Sequence, residues 1–245
     1  MISIFDKALK YSYAAQKQER HKLLRVLFIL LSLYLLYNVI NTFFCSVWVL
    51  QNDTMQPGLR SGDRLIAVSS AVPSLLTAVK LTDETILYKR GNIVLIDTNR
   101  GESRNWLRLV ADNVVRFFTA QQITLFKTDE HLYVKRLIAL PGDEISMANF
   151  VLRVKPAGTY YSLTEFELSE RPYYPSIPQL PAQWDATLPF SGNMDSMVLG
   201  SGEYFVVADD RGNTGDSRTW GPISAREIIG KPVFRFWPLS RIGRP

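Results

Sequence analysis

The stretch Tyr133-Val134-Lys135-Arg136-Leu137-Ile138-Ala139-Leu140-Pro141-Gly142-Asp143 decides how this chain is read. Its first half is rich in β-formers and it ends on Pro-Gly-Asp, so it reads as a strand entering a tight turn. Alternation along that strand places Lys135 on one sheet face with Tyr133 and Leu137. If that face is buried, an ammonium is costly there and its pKa falls. A neutral lysine takes a proton from a hydroxyl near pH 7. The plainer reading makes Lys135 an edge-strand charge that discourages aggregation.

Outward from this strand, similar short runs recur at Val47–Gln51, Leu65–Val68, Ile93–Ile96, Phe150–Val154, Tyr204–Val207 and Val233–Trp237. Turn signals such as Pro57-Gly58 and Ser61-Gly62-Asp63 separate them. Short strands with frequent turns predict a mainly β, antiparallel body, a barrel or sandwich. Two segments depart from it. Ser103–Ala120 places Leu107, Val110, Val114, Phe117 and Phe118 at helical spacing, which predicts one amphipathic helix within an insertion at about 99–130. Its apolar stripe packs on the β body or, alternatively, lies on a membrane surface. Pro156–Asn193, with Arg171-Pro172-Tyr173-Tyr174-Pro175, reads as an extended excursion or small subdomain within a second insertion at about 156–195.

The charge is uneven. Residues 1–25 hold six basic and two acidic groups, leaving 22 bases against 21 acids in the other 220. A nearly neutral body argues against nucleic-acid binding. The basic segment leads into Val26–Leu50, which carries no charge. Val26–Cys45 is long enough to cross a membrane. A buried core helix or a cleaved signal sequence are the other readings, but no A-x-A site follows the run. The expected organisation is a cytoplasmic tail over residues 1–25, a single transmembrane helix over 26–45 and an extracytoplasmic domain over 46–245. Basic flanking residues put the N-terminus in the cytoplasm. Of the 245 residues 47% are hydrophobic, too many for a disordered chain. The lone Cys45 excludes a disulfide framework, and no Cys/His cluster has metal-ligand spacing, so neither metal nor cofactor is expected. His131 sits four residues before Lys135 and beside Asp129 and Glu130, the setting of a loop residue.

Two more clusters accompany the lysine strand: Gln51-Asn52-Asp53-Thr54-Met55-Gln56-Pro57, and Ala208 through Gly221 with Asp209, Arg211, Asn213, Thr214, Asp216, Ser217, Arg218 and Trp220. Each alone has a structural explanation in turn chemistry or solvated ion pairs. In this order, behind an apolar span, they resemble bacterial type I signal peptidases. Asn52–Pro57 stands where that family has S-x-S-M-x-P. Gly62–Ala67 and Arg90–Val94 match two further boxes. Lys135–Asp143 matches the lysine box, with Ala139 where glycine is usual. Asp209–Gly221 and Phe234–Pro238 match the last ones.

The resemblance implies a signal-peptidase-type β fold and an endopeptidase that removes signal peptides from exported preproteins after a small-x-small motif. Thr54 would be the nucleophile and Lys135 its base. The Thr54 N–H and the Asn52 amide would form the oxyanion hole. Thr214 would orient the lysine. Arg136 with Asp209, and Asp216 with Arg218, would brace the site, and Met55, Pro57 and Tyr133 would line the substrate groove. The implied partners are signal-peptide-bearing preproteins and membrane lipid, with the chain in the cytoplasmic membrane. Thr54, Asn52 and Thr214 each replace a family serine. Added methyls and lost χ1 freedom leave a second reading open, an inactive relative that binds signal peptides or a membrane partner. A self-cleaving Ser/Lys regulator is disfavoured by the apolar span.

Overall fold

The computed structural model describes residues 13–43, 45–70, 89–98, 114–115, 132–179 and 192–245. Helix α1 (Tyr13–Phe43) has 31 residues, about 46 Å at 1.5 Å per residue. Within it Arg20–Asn38, with mean hydropathy 1.3, is long and apolar enough to cross a membrane. Leu24, Phe28, Leu31 and Leu35 are more than half exposed, so the protein itself does not cover this apolar surface. The helix stops short of the expected end at 45, because Cys45 already begins β1 (Cys45–Val49). There Val47, Trp48 and Val49 pair with a neighbouring strand, and sheet pairing outweighs continuation of the helix.

The strands that follow are β2 (Arg64–Ser69), β3 (Ile93–Asp97), β4 (Leu132–Ala139), β5 (Glu144–Ala148) and β6 (Val151–Lys155). After them come β7 (Leu163–Thr164), β8 (Met194–Val198), β9 (Glu203–Val207), β10 (Ile223–Ser224) and β11 (Ile228–Trp237). Two short helices, α2 (Glu165–Leu168) and α3 (Ser217–Trp220), complete the described elements of interest. The strands form a seven-stranded sheet in the order β1-β2-β11-β3-β4-β9-β10 and a four-stranded sheet in the order β7-β6-β5-β8. All their ladders are antiparallel. β11 lies between β2 and β3 although it contains Pro232. Its pairing with β2 shifts register between Pro232 and Phe234, as expected where a residue has no N–H to give the ladder.

β3 and most of β4 are buried on both faces, which explains their unbroken apolar runs. Ile145, Met147, Leu152 and Val154 alternate inward from β5 and β6 and pack on Ile138, Phe205 and Val207, joining the small sheet to the large one. The predicted amphipathic helix lies outside the described residues except for Val114 and Val115, which are helical. His131 also lies outside them.

The described part of the second insertion is packed against the body. Glu165 is 2% exposed, and its carboxylate accepts from Arg211 Nη2 at 2.5 Å, Tyr173 Oη at 2.5 Å and the Leu152 N–H at 3.1 Å. The capping box of Thr164 and Glu167 starts α2 here and turns Glu165 inward. Burial alone would lower the Arg211 pKa, but the Glu165 carboxylate holds it above its usual value. Glu165→Leu would leave a buried guanidinium unmatched. Its expected cost is about 3–5 kcal/mol, read as a large fall in Tm of the full chain, with partial recovery in Glu165→Leu/Arg211→Met.

Candidate active site

β4 is the spine of the site. Val94 pairs with Lys135 and Ile93 with Arg136 across the β3 ladder, fixing two adjacent cations on opposite sheet faces. Lys135 is 1% exposed, and its Nζ has no hydrogen-bond partner among the described residues. The rings of Tyr133 and Trp220 each lie with their centroids 5.9 Å from Nζ, and the two rings pack at 4.8 Å. Burial pushes the amine down from 10.5 to about 8. Asp216 pulls it back up, Arg218 adds to the fall, and Asp209 and Asp210 oppose it.

Arg136, on the other face, is held on all sides. Its Nε and Nη2 donate to the Asp209 carboxylate at 2.6 and 2.5 Å, and its Nη1 donates to the Gly91 carbonyl at 2.5 Å. The guanidinium stacks 3.8 Å from the Tyr173 ring centroid. Gly91 has φ +83°, and a side chain there would collide with Ser169, so the turn needs glycine.

The third cluster surrounds the lysine. Asp216 caps α3 and accepts from Ala208 N–H at 2.9 Å and from Arg218 Nε at 2.9 Å and Nη2 at 2.8 Å. Arg218 Nη1 in turn donates to the Arg211 carbonyl at 2.9 Å. Thr214 is half-buried, and its carbonyl accepts from Asp216 N–H and Thr219 Oγ1. Since Nζ has no partner among the described residues, the Thr214 hydroxyl does not bond to the lysine in this state.

The first cluster meets the third through the backbone. The Asp210 N–H donates to the Thr54 carbonyl at 3.0 Å. On its far side the same segment forms a parallel bridge with Ser176, through Ser176 N–H to Asp209 O and Arg211 N–H to Ser176 O, both at 2.8 Å. Met55 is fully buried in the core with Leu59, Leu65 and Val134, while Pro57 is exposed. Thr54 Oγ1 donates to Asn52 Oδ1 at 2.9 Å, so the hydroxyl is engaged by its neighbour two residues back rather than by Lys135.

Sequence reading did not single out Glu165, and it named Asp143 and Tyr173 only as parts of a turn and an extended run, without a bonding role. Asp143 is buried, and its carboxylate accepts from Arg90 Nε and Nη2, Leu140 N–H and Ala157 N–H, which ties the Pro-Gly-Asp turn to the Arg90 turn. The signal for Asp143 is an acid at a turn between apolar strands; that for Tyr173 is the aromatic run between prolines. Among the described residues no group of three His, Cys, Asp or Glu is placed to hold a metal ion.

The site thus combines a buried amine that has no hydrogen-bond partner among the described residues with a Thr54 turn tied through its carbonyl to the Asp210 segment. The family described as "Signal peptidase, peptidase S26" matches residues 22–237, and the chain belongs to it. Similar proteins include "Signal peptidase I" of Streptococcus pneumoniae strain R6, 32% identical over 129 residues, 45% of this chain and 63% of that protein. The chain therefore spans less than two thirds of that relative. "Signal peptidase IB" of Staphylococcus aureus strain COL is 25% identical over 205 residues, 82% of this chain and 83% of the relative.

The amine also makes stability depend on pH. Unfolded Lys135 titrates near 10.5 and folded Lys135 at about 8, so between them the unfolded state binds more protons and stability rises with pH. Below pH 8 the whole penalty, about 3 kcal/mol, is present. Lys135→Met is expected to raise Tm most below pH 8, with the margin shrinking toward pH 10. Thermal unfolding of both proteins from pH 7 to 10 checks this; a constant margin contradicts a depressed pKa.

Proposed function

We propose that this chain is a membrane-anchored endopeptidase that removes signal peptides from exported preproteins after a small-x-small motif, with Thr54 as nucleophile and Lys135 as general base. The single observation that carries the reading is the buried Lys135 amine, which has no hydrogen-bond acceptor among the described residues and a pKa lowered to about 8. Family membership supports the substrate class.

Substrate binds extended beside the Asn52 and Lys135 segments, adding a strand. The ladder between β4 and β9 ends at Arg136 and Val207, immediately before Lys135. The Thr54 hydroxyl turns from Asn52 to the amine, which takes its proton, and Oγ1 attacks the scissile carbonyl. Negative charge on the tetrahedral oxygen is met by the Thr54 N–H and the Asn52 amide. Collapse breaks the peptide bond, and the lysine ammonium gives its proton to the leaving amine. Water, deprotonated by the same amine, then hydrolyses the ester and frees Thr54. α1 tethers the enzyme to the bilayer that holds its substrates, raising their local concentration. Its basic N-terminal flank faces the cytoplasm and the β body the other side.

A fluorogenic small-x-small peptide tests this with the full chain in detergent. kcat/KM is expected to rise with pH through about 8 as Lys135 loses its proton. Thr54→Ala and Lys135→Met should fall at least about 100-fold, toward background. Cleavage by the parent no faster than by Lys135→Met at every pH overturns the proposal. Thr54→Ser separates two forms of it: a gain in rate marks the methyl as an obstacle, a loss marks a site rebuilt around threonine.

A further inference from the structure

On the sheet face of Arg136, away from Lys135, the structure holds a second cleft of about 570 Å³ that neither Thr54 nor Lys135 lines. Its walls carry Arg90, Arg136, Arg171, Lys231 and Arg244. Arg90 and Arg136 are committed to Asp143 and Asp209. The side chains of the other three make no ion pair or hydrogen bond among the described residues, though the Arg171 carbonyl accepts from Ser169 Oγ and Lys231 pairs through its backbone in the sheet. Glu170, on the same wall, is taken by Lys89 at 2.6 Å. Asn92 Nδ2, also at this wall, is buried and has no acceptor among the described residues. Burial lowers the Lys231 pKa, and Arg171 and Lys89 lower it further against the pull of Glu170, as in a site short of negative charge.

Every unmatched side chain here is a donor, two guanidinium forks, an ammonium and an amide NH₂, against the single terminal carboxylate of Pro245 on the same wall. What is missing is a multiply accepting anion. We infer that this cleft binds a phosphate-type oxyanion, held by Arg171, Lys231 and Arg244 with Asn92 donating from the wall. Guanidinium forks match phosphate oxygens in pairs, and the ammonium adds a point charge. Pro172, Tyr174 and Pro232 supply apolar wall for the group that bears the phosphate. The phosphate comes from an anionic phospholipid headgroup or from a soluble phosphoester. The cleft shares Pro57, Arg136 and Asp209 with the frame of the proposed site, but Thr54 and Lys135 do not line it and the inference does not depend on cleavage.

The test uses the full chain in neutral detergent, titrated by thermophoresis with short-chain phosphatidylglycerol, short-chain phosphatidylcholine, glycerol phosphate and an acidic peptide. Saturable binding of phosphatidylglycerol alone supports the lipid source, and binding of glycerol phosphate as well supports the soluble one. In either case Lys231→Gln/Arg171→Gln should weaken affinity at least about tenfold, the loss expected from one or more charge-assisted hydrogen bonds. Binding should also fall with salt. Tm and peptide cleavage of that double variant should match the parent, and Lys135→Met should bind the anion as the parent does. Absence of binding to both phosphate probes, equal binding of phosphatidylcholine, binding of the acidic peptide alone, or undiminished affinity in the double variant overturns the inference.

Discussion

A lysine ammonium in a protein interior must find a partner or lose its proton, and the architecture around β4 is organised by that constraint. Lys135 packs against Tyr133 and Trp220, while two of the three carboxylates that pull its pKa upward are already held by arginines. Asp209 belongs to Arg136 and Asp216 to Arg218. Each pairing satisfies an acid that would otherwise form an ion pair with the amine and keep it charged. The same device recurs farther out: Asp143 with Arg90, Glu165 with Arg211, and Asp63 with Arg235 and Arg241. Five buried acids are each held by arginine; four of the pairs join distant parts of the chain, and Asp216 with Arg218 closes one turn. Such pairs are poor sources of net stability, but losing one partner is expensive, so they fix geometry.

Asn52 and Thr54 are physically coupled. Asn52 is long enough for its Oδ1 to reach the Thr54 hydroxyl, and that contact is made at 2.9 Å. A carboxamide that accepts through oxygen leaves its NH₂ for another acceptor, so one side chain can hold the alcohol at rest and later face an oxyanion. Threonine's restricted χ1 gives the hydroxyl fewer positions from which to choose. The Thr54 carbonyl is meanwhile anchored by Asp210, and Asp210 by Ser176 of the second insertion. The position of Thr54, the proposed nucleophile, thus depends on a segment outside the three motif clusters.

Much of the sheet was legible because its strands are dense in Val, Ile and Leu. β3 and β4 lie within one or two residues of their predicted ends, and the face shared by Lys135, Tyr133 and Leu137 follows from alternation alone. β5 and β8 were not read. Glu144-Ile145-Ser146-Met147-Ala148 and Met194-Asp195-Ser196-Met197-Val198 are weak β-formers that become strands by pairing with each other and with β6. The start of α1 at Tyr13 was missed because the basic segment lacks apolar periodicity, yet its Lys, Gln, Glu and Arg are good helix formers. The long-range pairs of Asp63, Asp143 and Glu165 have partners 46 to 178 residues away, a separation no local pattern reports.

α1 ends at Phe43 and β1 starts at Cys45. That leaves one residue between the apolar helix and the sheet whose first strand leads into the Thr54 turn. For an enzyme of the proposed activity, so short a coupling works as a ruler: the scissile bond must be presented at one height above the bilayer surface. Polypeptides with similar residues at the cut but a deeper or more distant junction would pass unread. Selectivity among exported chains would then be partly a measurement of depth, made by the anchor before any side-chain pocket is consulted.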